Sequence, residues 1–280
     1  MKCIDDAKGF FDLKIAFVYN NIPINGVVML NLKFLKNKII GNNAKEMDFF
    51  LLCKNGELTD KILHDYIYHY RIDINTPFAG DMGEDGKTPL MFYFYSSNST
   101  AEISQLMINH GADVNIKTRL ERTPFYYLAY SHSEEKLKII KLLKKEGADF
   151  DGVDRLGFPL IASYLTTSNL EQLEFVINNS RFAKLNLESC PYPWGRGPLQ
   201  ELILNRPFDG LDVVREKILF LIENGFNINL KMKSPDAYTP LSFLRREMRV
   251  LEKTNDFFKE KYIDHYRQIE HILLENGAKE

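Results

Sequence analysis

Cysteine is scarce in this sequence, and its spacing excludes the sites that cysteine usually builds. The 280 residues contain three cysteines, Cys3, Cys53 and Cys190, and no two of them form a Cys-x-x-Cys pair. An odd, widely spaced set of this kind is not a disulfide framework. It is typical of a protein in a reducing compartment, so we expect a cytoplasmic protein.

Long apolar runs are missing as well. In the first residues, MKCIDDAKGFFDLKIAF, Lys2 is soon followed by two aspartates. This stretch contains no apolar run of signal-peptide length. No segment approaches the roughly 20 apolar residues of a membrane-spanning helix. The sequence therefore predicts neither a secretory leader nor a membrane partner.

An excess of positive charge is also absent. The chain has 36 Lys and Arg residues against 38 Asp and Glu residues, a net charge of −2. Its basic clusters at 141–145 and 245–249 are interleaved with, or followed by, glutamates such as Glu146 and Glu247. Nucleic-acid-binding proteins usually carry a basic excess or stripe, because neutralising phosphate supplies most of their affinity. We therefore expect no nucleic-acid partner.

Recognisable catalytic and metal-binding motifs are missing too. The six histidines are scattered, and His265 and His271 are six residues apart, so they do not share a helical face well. The turn Gly195-Arg196-Gly197 lacks the Gly-Lys-Ser/Thr of a phosphate-binding loop. No Ser/His/Asp or Cys/His arrangement has a recognisable context. These absences predict a protein without a catalytic residue, a metal or a cofactor.

The sequence does contain an internal repeat. One copy reads GKTPLMFYFYSSNSTAEISQLMINHGADVN at 86–115, and the next reads ERTPFYYLAYSHSEEKLKIIKLLKKEGADFD at 121–151. Weaker copies follow at 156–179, 196–229 and, split in two parts, 237–280. Such regular recurrence of one phrase indicates stacked copies of one structural unit, since a single unit cannot bury its own apolar face.

Each part of the repeated phrase has a physical reason. Threonines stand where a helix N-cap needs a hydroxyl acceptor, and prolines follow at the first helical position, where the missing N–H costs nothing. The second helix carries apolar residues at helical spacing, and a glycine then closes it in the left-handed conformation. The residues that fill these roles are Thr88, Thr123 and Thr239; Pro89, Pro124, Pro159, Pro198 and Pro240; Ile139, Ile140 and Leu143; and Gly111, Gly147, Gly225 and Gly277.

These residues resemble the ankyrin repeat. The resemblance is carried by Thr-Pro-Leu at 88–90 and 239–241 and by Gly-Ala-Asp-Val-Asn at 111–115, and it covers about residues 80–280. It implies an all-α ankyrin-repeat solenoid of about five to six helix-turn-helix repeats. The usual His of the family is replaced, for example by Met91 and Tyr126, so we do not expect the polar contact that this His makes in the family.

The ends of the array are less regular. Residues 47–77 predict one further, degenerate copy, so we divide the chain into an N-terminal capping segment, 1–46, and an ankyrin-repeat domain, 47–280. Within the capping segment, 15–32 is consistent with a hairpin and 28–40 with an amphipathic helix. The last copy predicts two long helices, about Pro240–Lys253 and Asp256–Asn276.

The resemblance implies a module that binds another protein through a concave groove and the tips of its turns, and the basic residues at those tips predict an acidic surface on the partner. Aligning the copies places Arg119, Leu120, Arg122, Arg155 and Leu156 at tips, together with Glu84, Asp85, Lys87, Asp236 and Tyr238. It places Tyr95, Tyr130 and Leu165 in the groove. Trp194 lies in an atypical connection, where it predicts either a plug or an exposed anchor for the partner.

The resemblance also implies a biological setting. Ankyrin arrays from AT-rich bacterial and poxviral genomes often act on host proteins, so we expect a pathogen or viral effector, delivered into or expressed in a host cell. The motifs do not distinguish the bacterial from the poxviral type. We expect a monomeric, non-enzymatic binding module without a cofactor. Two alternatives are an enzyme with a pocket formed by the N-terminal segment or the long C-terminal helices, and a self-associating structural protein.

Overall fold

The computed structural model describes residues 44–78, 86–181, 197–204, 211–232, 237–254 and 259–280. The chain divides into two compact regions, 1–48 and 49–280, and the first region is described only at 44–48. The predictions for 15–40 and for Trp194 therefore lie outside the described residues. The domain boundary after residue 46 stays a prediction.

The described residues form an α-helical structure built from helix pairs. The helices are α1 (Ala44–Asn55), α2 (Asp60–His64, continued by a π-helical turn at Asp65–His69), α3 (Pro89–Phe94), α4 (Ala101–Asn109), α5 (Pro124–Ala129), α6 (Lys136–Lys145), α7 (Ala162–Thr167), α8 (Leu170–Asn178), α9 (Pro198–Leu204), α10 (Leu211–Glu223), α11 (Pro240–Glu252) and α12 (Lys259–Glu275). In these ranges the only β-type pairing is an isolated bridge between Val153 and Pro159. The all-α prediction is confirmed.

The helices stack in two rows. The first helices of successive pairs, α3, α5, α7, α9 and α11, each pack on the next, and so do the second helices, α2, α4, α6, α8, α10 and α12. We number the pairs units 1 to 6, from α1–α2 to α11–α12. Aromatic rings join neighbouring units: the Phe125 ring of unit 3 stacks 4.5 Å from Tyr164 of unit 4. Leu143 is buried, as the register of unit 3 predicts.

The turns that close four of the second helices, α4, α6, α10 and α12, follow the sequence prediction. Gly111, Gly147, Gly225 and Gly277 all have φ between 82° and 95°, the left-handed region that favours glycine. No atom lies within 4 Å of a Cβ built on any of the four. Backbone conformation, rather than space, therefore requires glycine at these positions.

Asparagine side chains then connect one turn to the next. Asn115 Nδ2 donates to the carbonyl of Gly147 at 3.0 Å, and Asn115 Oδ1 accepts from the Asp149 amide at 2.8 Å. Asn75 makes the same pair of bonds to unit 2 and Asn229 to unit 6. Each bridge satisfies two backbone groups at the end of a second helix, so it fixes the register between neighbouring units.

The helix starts are only partly as predicted. Pro89, Pro124, Pro198 and Pro240 are the first residues of their helices, as expected. The prediction for Pro159 is wrong, because α7 begins three residues later, at Ala162. In place of the helix start, the Leu160 amide donates to the Gly152 carbonyl at 2.9 Å, which extends the turn through Pro159.

The threonine caps divide into two kinds. Thr239 Oγ1 accepts from the Ser242 amide at 3.2 Å, as predicted. The hydroxyls of Thr88 and Thr123 occupy the same N-cap position but are buried without a hydrogen-bond partner among the described residues. Hydroxyl capping is therefore confirmed at Thr239 and wrong at Thr123, whereas at the Thr88 N-cap the backbone amide donates to Met91 Sδ at 3.5 Å.

Candidate functional site

The candidate site begins with two turns that precede α5 and α7. We call 117–122 the first tip and 153–158 the second tip; they are 36 residues apart and share the dipeptide Arg-Leu. In the first tip, the Thr118 amide donates to the Arg122 carbonyl at 3.0 Å, and the Glu121 amide donates to the Thr118 carbonyl at 2.8 Å. This closed turn leaves Arg119 and Leu120 exposed at its corner.

The second tip is closed by a buried carboxylate. Asp154 Oδ1 accepts the amides of Leu156 at 2.9 Å and Phe158 at 3.0 Å. The side chains of Arg155 and Leu156 lie outside this turn, and Leu156 is 67% exposed. A short carboxylate-closed turn is well ordered because two of its amides are held by one side chain.

The two tips are bonded to each other. The Arg155 amide donates to the Leu120 carbonyl at 2.8 Å, so the exposed dipeptides of neighbouring units lie side by side. We call Arg119, Leu120, Arg155 and Leu156 the tip row. The structure therefore brings together four of the residues that the sequence assigned to partner binding.

Arg122 does not belong to this exposed row. Its guanidinium donates from Nε and Nη2 to Asp154 Oδ2, at 3.2 and 3.0 Å, and lies 4.4 Å from the ring centroid of Tyr126. Burial by itself lowers the pKa of Arg122, but Tyr126 and Asp154 together raise it by more than burial lowers it. The pKa of Arg122 is therefore raised overall, and the guanidinium stays charged. The Arg122 side chain is therefore only 18% exposed, less than expected of a tip residue, because its charge neutralises the buried Asp154, and its role in partner binding stays a prediction.

A cluster of four tyrosines lies beside the tips. The tyrosine cluster consists of Tyr95, Tyr126, Tyr127 and Tyr130, at the ends of α3 and α5. The Tyr95 and Tyr127 rings are 5.6 Å apart, and the Tyr126 and Tyr130 hydroxyls are 3.2 Å apart. Tyr126 and Tyr127 are buried, and burial raises the pKa of Tyr126. Tyr95 and Tyr130 are half-buried, so part of each side chain is exposed to solvent.

Two other predicted surface residues are buried. Lys87 is 6% exposed, and its Nζ lies 4.6 Å from the Tyr95 ring centroid and 5.1 Å from that of Tyr127. Leu165 is buried within the first-helix row and does not face a groove. Neither side chain is at the surface as expected: Lys87 lies between the aromatic rings of two neighbouring units, and Leu165 is 1% exposed. Tyr238 is half-buried beneath Arg246, and Glu84, Asp85 and Asp236 lie outside the described residues.

Sequence reasoning missed two buried lysines. Lys136 Nζ donates to the carbonyls of Ala129 and, at 2.9 Å, of Thr167; Lys217 Nζ donates to the Leu165 carbonyl at 3.0 Å. Both cap carbonyls at the ends of first helices. A signal existed, since each lysine lies on the apolar stripe of its second helix.

The exposed charge of the two tips is mainly positive. Between them they hold four basic side chains and two acidic ones: Lys117, Arg119, Arg122 and Arg155 against Glu121 and Asp154. Asp154 is only 3% exposed and is neutralised by Arg122. The tips therefore present a basic, apolar edge on a chain whose net charge is −2.

Other side-chain groupings give no comparable site. Among the described residues, His, Cys, Asp and Glu side chains form no group of three suited to a metal ion. No helix in the same ranges has both the length and the apolar character needed to cross a bilayer. A small recess of about 10 Å³ lies against Pro198, Leu199 and Phe226, a volume that is near the lower limit for one water molecule.

Part of the chain, including the first tip, matches a known family. The family model described as ankyrin repeats (3 copies) matches residues 49–154. This part of the chain consists of ankyrin repeats, and it includes the degenerate copy predicted at 47–77. Ankyrin repeats are a general protein–protein interaction module, and members of the family are generally non-enzymatic. None of the curated protein sequences matches this chain.

Several solved structures share the fold. An ankyrin repeat domain from Acinetobacter baumannii is 23% identical, with a TM-score of 0.57, covering 84% of this chain and 100% of that one. A chain in the complex of a predatory endopeptidase from Bdellovibrio bacteriovorus with an immunity protein is 17% identical, with a TM-score of 0.55, covering 79% and 96%. The ankyrin repeat domain of Bcl-3, of the IkappaB protein family, is 14% identical, with a TM-score of 0.54, covering 82% and 86%. The fold is an all-α ankyrin-repeat solenoid.

Proposed function

We propose that this ankyrin-repeat protein binds another protein through the tip row and the exposed edges of Tyr95 and Tyr130. The observation that carries the proposal is the hydrogen bond between the Leu120 carbonyl and the Arg155 amide. It aligns exposed Arg-Leu dipeptides of two neighbouring units on one rigid edge. A surface that is ordered before binding loses little conformational entropy when a partner docks.

The chemistry of this surface suits a protein partner. Arg and Tyr are two of the residue types enriched among interface hot spots, and the leucines add apolar area between them. Tyr130 is held by its hydroxyl contact with Tyr126, and Tyr95 by ring contacts with Tyr127 and Lys87. Each exposed aromatic edge is therefore fixed in one orientation from behind.

One similar structure is described as a complex with another protein. The Bdellovibrio bacteriovorus structure contains a predatory endopeptidase together with an immunity protein. We propose protein binding for the present chain by analogy with the family, and the action on host proteins stays a prediction of the resemblance alone.

Affinity purification followed by mass spectrometry tests the proposal. The wild-type chain is compared with Arg155→Glu/Leu156→Ser, with Tyr130→Ala, and with a control, Arg267→Glu/Leu274→Ser, which makes the same changes at exposed positions of α12. We expect a partner that the wild type and the control recover and that both other variants lose. Equal recovery by all four proteins would place the binding surface elsewhere.

A further inference from the structure

The tip row narrows the class of partner, given the proposed function on which this step rests. The exposed charged side chains of the two tips are Lys117, Arg119 and Arg155 against a single acidic one, Glu121, while the acidic Asp154 is buried and paired with Arg122. A partner with carboxylates at matching positions gains charge-assisted contacts, whereas a basic partner is repelled. Charge complementarity therefore favours an acidic ligand.

The two leucines add a second requirement. Leu120 is 42% exposed and Leu156 is 67% exposed, and each directly follows an exposed arginine. Because the Leu120 carbonyl and the Arg155 amide are 2.8 Å apart, the leucines lie on neighbouring strands of backbone. Alternate residues of an extended segment, about 7 Å apart, or residues one helical turn apart, are spaced to contact such a pair.

The size of the row decides between a segment and a folded surface. A stable interface between folded proteins buries about 800 Å² on each partner, contributed by some 20–30 residues. The tip row offers four exposed side chains on a narrow edge, which is too few for such an interface but sufficient for a short peptide. We infer that the tip row recognises a linear acidic segment in which carboxylates flank two apolar side chains.

Selection from a phage-displayed library of random short peptides tests this inference on the full chain. We expect the enriched peptides to combine Asp or Glu with Leu, Ile or Phe. Synthetic versions should bind the Arg155→Glu/Leu156→Ser variant at least about tenfold more weakly, while the Arg267→Glu/Leu274→Ser control stays within about twofold of the wild type. Higher salt should weaken binding, because the contacts are electrostatic and exposed.

Three results would overturn the inference: no enriched peptide, enriched peptides without acidic residues, or equal binding by the tip variant. Arg155→Lys, which keeps the charge, guards against a folding artefact and should retain most of the binding. Circular dichroism of every variant checks the fold. If peptide selection fails while partner capture still depends on the tips, the inference is wrong and the proposed function stands. If partner capture ignores both the tips and Tyr130, the proposed function itself is wrong.

Discussion

Units 3 and 4 are neighbours in the stack but achieve the same geometry by different means. Unit 3 follows the repeated phrase closely: Pro124 starts α5, and Gly147 closes α6. Unit 4 has Phe158 where units 2, 3 and 6 have threonine, and it lacks the closing Gly-Ala-Asp. Its helices α7 and α8 nevertheless pack in the same two rows as those of its neighbours.

Polar side chains from adjacent units bond to unit 4. Lys136 of unit 3 and Lys217 of unit 5 donate to carbonyls at the end of α7, and Arg122 of unit 3 neutralises Asp154. Unit 4 also keeps an N-cap of its own, since Asn169 caps α8, so the comparison shows that a repeat can depart from the phrase and still stack when other polar bonds hold it. Stability in a linear array is then shared across interfaces rather than held within each unit.

The largest expected effect comes from the core of both units. Leu143 and Leu173 are fully buried at the second helices of units 3 and 4. Substituting either with alanine should cost roughly 2–5 kcal/mol, since each leaves a cavity in a packed interface. Urea unfolding measures both. A much smaller loss for Leu173→Ala would mean that unit 4 is less tightly packed than unit 3.

The Arg122–Asp154 pair tests the connection between the units. Arg122→Met should destabilise the protein by about 3 kcal/mol, because it leaves a carboxylate buried without its counter-charge. Arg155→Met is the matched control: Arg155 is exposed, so its loss should change stability by less than about 0.5 kcal/mol. Thermal unfolding compares the two variants, and equal melting temperatures would contradict the structural role of Arg122.

Lys217 tests the support that unit 4 receives from unit 5. Lys217→Met removes the bond to the Leu165 carbonyl and should cost roughly 1–3 kcal/mol, the penalty for leaving a buried polar group unsatisfied. Lys138→Met, at an exposed position of α6, should have almost no effect. Hydrogen exchange should show faster opening of α7 in the Lys217 variant only. Unchanged exchange would show that this bond does not stabilise unit 4.

A buried histidine in the C-terminal unit, unit 6, should make the stability of the protein depend on pH. Burial lowers the pKa of His265 to about 4, with a further lowering by Arg215, while Asp212 and Asp264 raise it. The unfolded chain therefore takes up a proton first, so this contribution to stability is complete above about pH 6.5 and declines as the pH falls toward 4. We expect a loss of about 1–2 kcal/mol by pH 4.5. His265→Gln should reduce this pH dependence, and the exposed His271→Gln should not.

The smallest effect distinguishes the two kinds of threonine cap. Thr88→Val and Thr123→Val should be neutral or slightly stabilising, because those buried hydroxyls make no hydrogen bond to the described residues. Thr239→Val should cost about 1 kcal/mol, since its hydroxyl accepts from Ser242 and donates to the Lys279 carbonyl. Equal changes in the urea midpoint would contradict this distinction.

The sequence predicted the array because its phrase is local. Proline, closing glycine and helical spacing each act within one unit, so they could be identified without neighbours. The resemblance to ankyrin repeats then predicted that those units stack. Contacts between units were not predictable in the same way: Lys87 and Arg122 were assigned to the surface because nothing local indicates the tyrosines and the aspartate that cover them.

In the candidate site, too, local features were predictable and contacts between units were not. Exposure of Arg119, Leu120, Arg155 and Leu156 followed from the alignment of the copies, since tip positions recur with the period. The hydrogen bond between the tips was not predictable, because it joins residues 35 apart through their backbone. Trp194 and the N-terminal segment keep their predicted roles as hypotheses.

Hydrogen–deuterium exchange of the chain, alone and with the partner that affinity purification identifies, tests the central claim most directly. Binding at the tip row and the tyrosine cluster predicts slower exchange at 117–122 and 153–158 and at the ends of α3 and α5, with little change in α10 and α12. Protection confined to the second-helix row, with unchanged exchange at both tips, would contradict it.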